Sequence, residues 1–195
     1  DVISMGGTIR RLKQQKHDVH VAYETSGNIA VADEEVRLYM HFINGFNKLL
    51  ANGSDEVIKI RYREIMSYLK QKEEGDWDNR AILTVKGLIR RGEARNACGY
   101  NHIPKDHIHF LDLPFYESGK IEKLPMTERD VEPIMQLLEE IQPHQIYVAA
   151  DLADPHGTHR KCTDAVLAAI DEEKKAGAEW LKDCRVWMDR GACAE

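Results

Sequence analysis

The sequence predicts an α/β fold, in the form of a Rossmann-like, three-layer α/β/α arrangement with a mostly parallel sheet and a helical insertion. Segments with helical periodicity alternate along the chain with short strand-like segments. Residues 145–150 (QIYVAA) form an almost continuous apolar run, which is typical of a parallel strand buried on both faces. Parallel sheets bind ligands at the carboxyl ends of their strands, so polar loops that follow strands are the first candidates for a site.

Apolar residues at a helical spacing predict four helices in the first half of the chain, over residues 2–15, 33–50, 54–72 and 82–98. Helices two and three form a pair, so we interpret residues 33–72 as a helical insertion within a single domain that spans residues 1–195. The fourth helix is rich in arginine, and Gly99 follows it where a helix C-cap is expected. Alternating apolar and polar residues at 19–25 (VHVAYET) predict the first strand of the chain.

The second half predicts strands that alternate regularly with helices, over residues 107–113 (strand), 127–141 (helix), 145–150 (strand), 158–175 (helix) and 184–188 (strand). Thr127 is the expected N-cap of the first of these helices. This order supports the parallel-sheet prediction, because parallel strands need crossover connections.

The composition excludes several classes of protein. The 195 residues contain 27 Lys and Arg against 33 Asp and Glu, a formal net charge of −6, which argues against a binder of nucleic-acid backbones. No apolar run approaches the roughly 20 residues that span a bilayer. The four cysteines form no C-x-x-C pair, so we interpret them as small buried residues of a protein in the reducing cytoplasm.

The loop at 151–159 (DLADPHGTH) follows the predicted buried strand and contains His156 and His159 in H-x-x-H spacing. One turn can direct both imidazoles into the same crevice, where one can bind a metal and the other can donate a hydrogen bond to developing charge. The alternative is structural, with Asp154 or Thr158 acting only as a helix N-cap. We interpret the other histidines as surface or satisfied core residues. They are His17, His20, His41, His102, His107, His109 and His144.

Three further short motifs lie where strand ends are expected to meet. They are Gly6-Gly7-Thr8, Thr25-Ser26-Gly27, and Arg90 with Glu93 in R-x-x-E spacing. Taken singly, they indicate close helix packing, a turn and an ion pair within a helix. Their order along the chain, followed by the histidine loop, is more informative than any one of them.

This ordered set resembles the LmbE-like, or PIG-L, family of zinc-dependent N-acetylglucosamine deacetylases, and more closely the deacetylase-like domain that can follow a glucosamine-6-phosphate deaminase domain. The resemblance implies a Rossmann-like parallel sheet and zinc-dependent hydrolysis of the acetamide of an amino sugar. It also implies that His159 is a zinc ligand and that His156 stabilises the oxyanion. Arg90 matches a family pattern more loosely, as a substrate-binding residue.

In the family, a His-Pro-Asp-Asp motif and a following acidic residue precede the helix that contains Gly-Gly-Thr, and Asp1 aligns with that acidic residue. The resemblance therefore implies that the first strand of the domain, the other two zinc ligands and the general base lie before Asp1. The 195 residues alone are expected to be inactive if that segment is absent. Asp154 stands where some relatives have a tyrosine.

The alternative function is a catalytically inactive domain that serves as a binding or interaction module for a sugar-phosphate deaminase. A nucleotide-binding domain is disfavoured, because no G-x-G-x-x-G follows a strand. The expected partners are a small amino-sugar substrate and a fused deaminase domain or a second copy of the chain, without nucleic acid or membrane.

Overall fold

The computed structural model of the protein describes residues 2–50, 55–118, 122–149 and 156–189. The helices are α1 (Val2–Gln14), α2 (Asp33–Leu50), α3 (Glu56–Gln71), α4 (Arg80–Tyr100), α5 (Glu128–Ile141) and α6 (Thr158–Lys175). The strands are β1 (Val21–Tyr23), β2 (Ile108–Phe110), β3 (Gln145–Ala149) and β4 (Arg185–Asp189). Short 3-10 helices lie at Asn28–Ala30, Lys105–His107 and Glu179–Lys182. Residues 151–155 of the histidine loop, including Asp154, lie outside the described residues.

The α/β class with parallel strands is confirmed. β1 pairs with β2 in parallel, and β3 pairs with β4 in parallel. Within the described ranges, the strands form these two short pairs instead of one continuous sheet. β1 and β2 are shorter than their alternation predicts, and Asp112 leaves the extended conformation at a φ of 48°. Backbone hydrogen bonds still join the segments beyond the strands, from Leu111 N to Tyr23 O at 2.9 Å and from Leu113 N to Glu24 O at 2.8 Å.

The chain divides into two compact units. The strand-bearing unit comprises Asp1–Ser26 and Ala94–Glu195, and the helical unit comprises Gly27–Glu93. The predicted insertion at 33–72 lies wholly within the helical unit, and α4 passes from one unit into the other. The prediction of a single domain stays a prediction.

The helical unit packs α2, α3 and the first part of α4 around an apolar core. Its buried residues are Val31, Val36, Met40, Ile65, Leu69, Ile82 and Ile89. The bounds of α2 agree with the sequence prediction, and Asp55 caps α3 by accepting hydrogen bonds from Val57 N and Ile58 N.

A ring of four ionised side chains also lies in the helical unit. Lys86 Nζ lies 2.7 Å from Asp33 Oδ1 and 2.6 Å from Asp78 Oδ2, and Lys72 Nζ contacts the same two carboxylates at 2.8 and 2.6 Å. Burial alone would raise the pKa of Asp33, but hydrogen bonds from Lys72 and Lys86 outweigh burial, and this pKa lies below its usual value. Each charge in this largely buried ring therefore has two partners of opposite sign, as a stable buried network needs.

The predicted C-cap of α4 is wrong. Gly99 was expected at the C-cap, but the helix continues through it to Tyr100, and His102 takes the left-handed conformation at a φ of 58°. The amide of His102 donates to Gly99 O and that of Ile103 donates to Cys98 O, both at 3.0 Å, which is the Schellman pattern. Ile103 and Cys98 share the apolar core of the strand-bearing unit, and this contact fixes where the helix ends.

The predicted N-cap of α5 is confirmed. The amide of Thr127 donates to Asp130 Oδ2 at 2.8 Å, which forms a capping box. The fully buried Asp130 carboxylate also accepts from Phe115 N at 2.7 Å and so joins the segment after β2 to α5. In the part of the chain that the structure describes, no helix has the length and apolar character needed to cross a bilayer.

Candidate functional site

The turn between β3 and α6 positions the two histidines that the sequence singles out. Gly157 adopts a φ of 67° directly before α6, a conformation that glycine accepts without a steric penalty. The exposed His156 stands before this turn, and the half-buried His159 lies on the first turn of the helix. Thr163 Oγ1 lies 3.2 Å from Ala149 O and 3.0 Å from His159 O, so it ties the helix to the end of β3.

Glu24 lies at the carboxyl end of β1 and faces the same helix. Burial raises the pKa of Glu24 to about 7, an effect that a hydrogen bond with the Cys162 side chain partly offsets. Its Oε2 atom is buried and has no hydrogen-bond partner among the described residues. Its partner Cys162 lies three residues after His159 on α6. A carboxyl group that changes its charge near neutral pH is a candidate for proton transfer.

Asp112 stands at the carboxyl end of β2, beside Glu24. It is half-buried and its φ of 48° is uncommon for a residue other than glycine. The hydrogen bond from Leu113 N to Glu24 O holds the two strand ends together. Sequence reasoning missed Glu24 and Asp112 as candidate site residues. The signal was available, because both are acidic residues inside otherwise strand-like segments.

An open groove lies beside this region, between the segment after β2 and the start of α5. Its volume is about 500 Å³, and Phe115, Leu124 and Arg129 are among its lining residues. Lys161, two residues after His159, donates a hydrogen bond to Leu124 O at 2.7 Å. This bond joins the wall of the groove to the first turns of α6.

Arg90 lies on α4 within the helical unit. Its Nη1 atom contacts Glu93 Oε2 at 2.5 Å, and both side chains are about half exposed. A Cβ atom on Gly27, at a φ of 64°, would lie 3.1 Å from Arg90 Nε, so the glycine allows the arginine to pack against the turn. The structure therefore brings together the R-x-x-E pair and the glycine of the Thr25-Ser26-Gly27 motif.

A second group of polar side chains lies at the opposite ends of β1 and β2. Asp18, His20 and His107 each offer a ligand atom, and these atoms lie within 4.8 Å of one another. The rings of His20 and His107 stack with centroids 3.9 Å apart, and His20 Nδ1 lies 3.0 Å from His109 Nε2. We name Asp18, His20, His107 and His109 the amino-end cluster.

Burial lowers the pKa of both His20 and His109, and neighbouring imidazoles lower that of His20 further. The sequence-based interpretation of these histidines as surface or satisfied core residues missed their mutual contact. The available signal was histidine at every second position, at 107 and 109, with His20 directly before the partner strand.

The zinc site implied by the family resemblance can be compared with the donors present. His159 provides a half-buried imidazole, which is a suitable zinc ligand, but a catalytic zinc needs three protein ligands. Among the described residues, the group of three possible ligands is Asp18, His20 and His107, which does not include His159. Of the zinc ligands that the resemblance implies, His159 is thus the one that lies among the described residues.

The sequence is similar to those of known proteins over most of its length. Residues 1–170 match the PIG-L family, described as GlcNAc-PI de-N-acetylase. The chain is 69% identical over all 195 residues to a Bacteroides thetaiotaomicron protein named as a glucosamine-6-phosphate deaminase-like protein, and it spans 29% of the length of that relative. No solved structure matches the chain. The chain belongs to the PIG-L family.

Proposed function

We propose that this chain is a zinc-dependent N-deacetylase domain that hydrolyses the acetamide of an N-acetylglucosamine-type substrate. The observation that supports this most directly is the pair His156 and His159, one turn apart where β3 meets α6, in a chain of the PIG-L family. Zinc, when bound, polarises the amide carbonyl and lowers the pKa of its water.

His159 has the role of a zinc ligand in this proposal. Its place on the first turn of α6 and the Thr163 hydrogen bonds to His159 O and Ala149 O restrict where its imidazole can lie. A fixed ligand keeps the geometry of the site constant during the reaction. The other two ligands and the general base are proposed, from the family pattern, to belong to a His-Pro-Asp-Asp motif.

His156 is proposed to donate a hydrogen bond to the amide oxygen as negative charge develops on it. Its exposure leaves the ring accessible to a substrate, and the left-handed turn at Gly157 separates it from the helix. A donor that strengthens only as charge develops lowers the barrier without tightening substrate binding.

Arg90 is proposed to bind the substrate. Its guanidinium is half exposed and keeps donors beyond the one that contacts Glu93 Oε2. Sugar hydroxyls, or a phosphate on the sugar, are acceptors that such a group recognises well. The name of the Bacteroides relative is the reason to test a 6-phosphate, and the link to amino-sugar phosphate metabolism is part of the proposal.

Acetate release tests this function. The full-length protein is incubated with zinc and either N-acetylglucosamine or its 6-phosphate, and acetate and free amine are measured. We expect both products in equal amounts, with loss of release after chelation and recovery on adding zinc. The exposed His144→Gln variant is a matched control that should keep wild-type rates. Absence of acetate from both sugars in a zinc-loaded protein would contradict the proposal.

A second candidate function, an inactive interaction module for a deaminase domain, is favoured by one surface. α2 exposes an apolar row that comprises Leu38, Phe42, Phe46 and Leu49. Exposed apolar rows of this kind often mark contacts with another protein surface. If the protein releases no acetate but Phe42→Ser weakens its self-association or its contact with a deaminase domain, this second function is the better one.

A further inference from the structure

The amino-end cluster has a chemistry that the proposed deacetylase does not use. It gathers one carboxylate and two imidazoles within 4.8 Å, at the ends of β1 and β2 opposite to Glu24 and Asp112. We propose that Asp18, His20 and His107 bind a divalent transition metal ion of the zinc type, at a site separate from that of His159.

The strand register explains why the residues meet. Val21 pairs with Ile108 and Ala22 pairs with His109, so one step back along the same register places His20 beside His107. His107 is the last residue of the 3-10 helix at Lys105–His107 and directly precedes β2, as His20 directly precedes β1. The parallel pairing therefore brings these two imidazoles together, and Asp18 lies beside them in the segment before β1.

One donor separation in the amino-end cluster already matches a zinc site, and the other donors reach that spacing only if the imidazoles move. A tetrahedral zinc with bonds of about 2.0–2.1 Å holds its ligand atoms roughly 3.3 Å apart. Asp18 Oδ1 lies 3.2 Å from His107 Nδ1, and Asp18 Oδ2 lies 3.9 Å from His20 Nε2. The two imidazoles stack 10° from parallel, so a shared ion requires the rings to rotate out of the stack. The Asp18 side chain, 77% exposed, is free of packing that would oppose its own adjustment.

His109 contacts the ring nitrogen of His20 that does not face Asp18. His20 Nδ1 lies 3.0 Å from His109 Nε2, so a proton on His20 Nδ1 directs the lone pair of His20 Nε2 towards Asp18. Metal-binding histidines commonly donate their second ring nitrogen to such a partner, which fixes the tautomer. His107 Nδ1 lies 3.2 Å from both Val19 O and Asp18 Oδ1, and a metal ion would replace the proton shared there.

The donor set selects the class of metal. Two imidazole nitrogens and one carboxylate oxygen suit zinc, copper or nickel, whereas magnesium and calcium prefer ligand sets made of oxygen. A bound ion would join the amino ends of β1 and β2, which meet through only three paired residues in each strand. The expected consequence is a metal-dependent rise in the thermal stability of the protein.

The test uses zinc binding in the His159→Ala background, which removes the ligand at the other end of the strands. Isothermal titration with zinc chloride should still show one site, and adding Asp18→Asn should weaken it by about tenfold or more. Asp18 is exposed, so this variant tests the ligand without disturbing the core. His109→Leu should weaken zinc by about 10–100-fold as the partner of a ligand, while His144→Gln should leave the affinity unchanged.

Cobalt provides a second readout, since a tetrahedral nitrogen and oxygen site gives an intense visible absorption band, whereas octahedral cobalt absorbs only weakly there. We expect this band in His159→Ala protein and its loss in the Asp18→Asn, His107→Gln combination. Zinc should also raise the melting temperature of His159→Ala protein, and magnesium should not. If His159→Ala abolishes all zinc binding, or if the Asp18 and His107 changes leave affinity and spectrum unaltered, the proposed site does not exist.

Discussion

The two compact units differ in how the charges of their buried polar groups are compensated. In the helical unit, Asp33, Asp78, Lys72 and Lys86 neutralise one another, and each charge has two close partners. In the strand-bearing unit, Glu24 is buried with a Cys162 hydrogen bond as its compensation, and burial raises its pKa to about 7. The histidines of the amino-end cluster are likewise gathered with a single carboxylate, that of Asp18.

This difference separates structural polar groups from groups available for chemistry. A compensated ring of charges has fixed protonation states and contributes to a single conformation. Groups with shifted pKa values and incomplete partners are more common at functional sites. Glu24 and the amino-end cluster are groups of this kind, and they lie at the two ends of β1 and β2, on the unit that also contains His156 and His159.

The largest expected change in stability comes from breaking the charge ring. Lys86→Met removes one ammonium and leaves the Asp33 and Asp78 carboxylates sharing Lys72 alone. Removing one partner of a buried ionic network costs about 3–5 kcal/mol, since the remaining charge stays buried. Urea unfolding at pH 7 measures this loss. A change below about 1 kcal/mol would show that the ring is not the stabilising network described above.

Glu24→Gln should raise the free energy of unfolding above neutral pH, whereas Lys86→Met should lower it. The folded-state pKa of about 7 lies above the usual 4.5, so the unfolded chain loses its proton first as the pH rises. Wild-type stability should therefore fall between about pH 4.5 and pH 7, by up to about 3 kcal/mol.

The glutamine variant should lack this fall and be the more stable protein at pH 8. Urea unfolding of both proteins from pH 4 to pH 8 gives the comparison. Parallel stability curves for the two proteins would mean that Glu24 is not held in its neutral form by burial.

The smallest effect is expected at an exposed ion pair of the helical unit. Arg61 Nη1 lies 2.8 Å from Glu64 Oε2, but both side chains are more than half exposed. Solvent screening limits such pairs to about 0.5 kcal/mol, so Arg61→Ala should barely change the urea midpoint. A loss comparable to that of Lys86→Met would indicate that burial is not what distinguishes the ring from other pairs.

Local sequence signals predicted the helices well and the contacts between elements poorly. α2 and α6 have the predicted bounds, because their acidic or turn-forming flanks mark the start of each helix. β1 and β2 are shorter than their alternation suggests, since pairing and the left-handed Asp112 decide where the strands end. The prediction of Gly99 as the C-cap of α4 was wrong because the contact of Ile103 with Cys98 decides where the helix ends. That contact gives a much weaker local signal in the sequence than a glycine does.

The candidate site shows the same division. The H-x-x-H spacing identified His156 and His159 because both imidazoles lie in one local turn. The amino-end cluster joins residues almost 90 positions apart, and only the register of β1 and β2 reveals that they meet. An acidic residue inside a strand-like segment marks Glu24 in the sequence, but its raised pKa comes from tertiary burial, which periodicity does not report.

The central claim is that His159 binds zinc and His156 stabilises developing charge on the substrate. Turnover and zinc content, measured together on His156→Ala and His159→Ala forms of the full-length protein, test it most directly. We expect His156→Ala to keep its zinc and lose about 10²–10³ in kcat, and His159→Ala to lose one zinc per chain together with activity. Wild-type turnover in either variant, or unchanged zinc content in His159→Ala, would contradict the assignment.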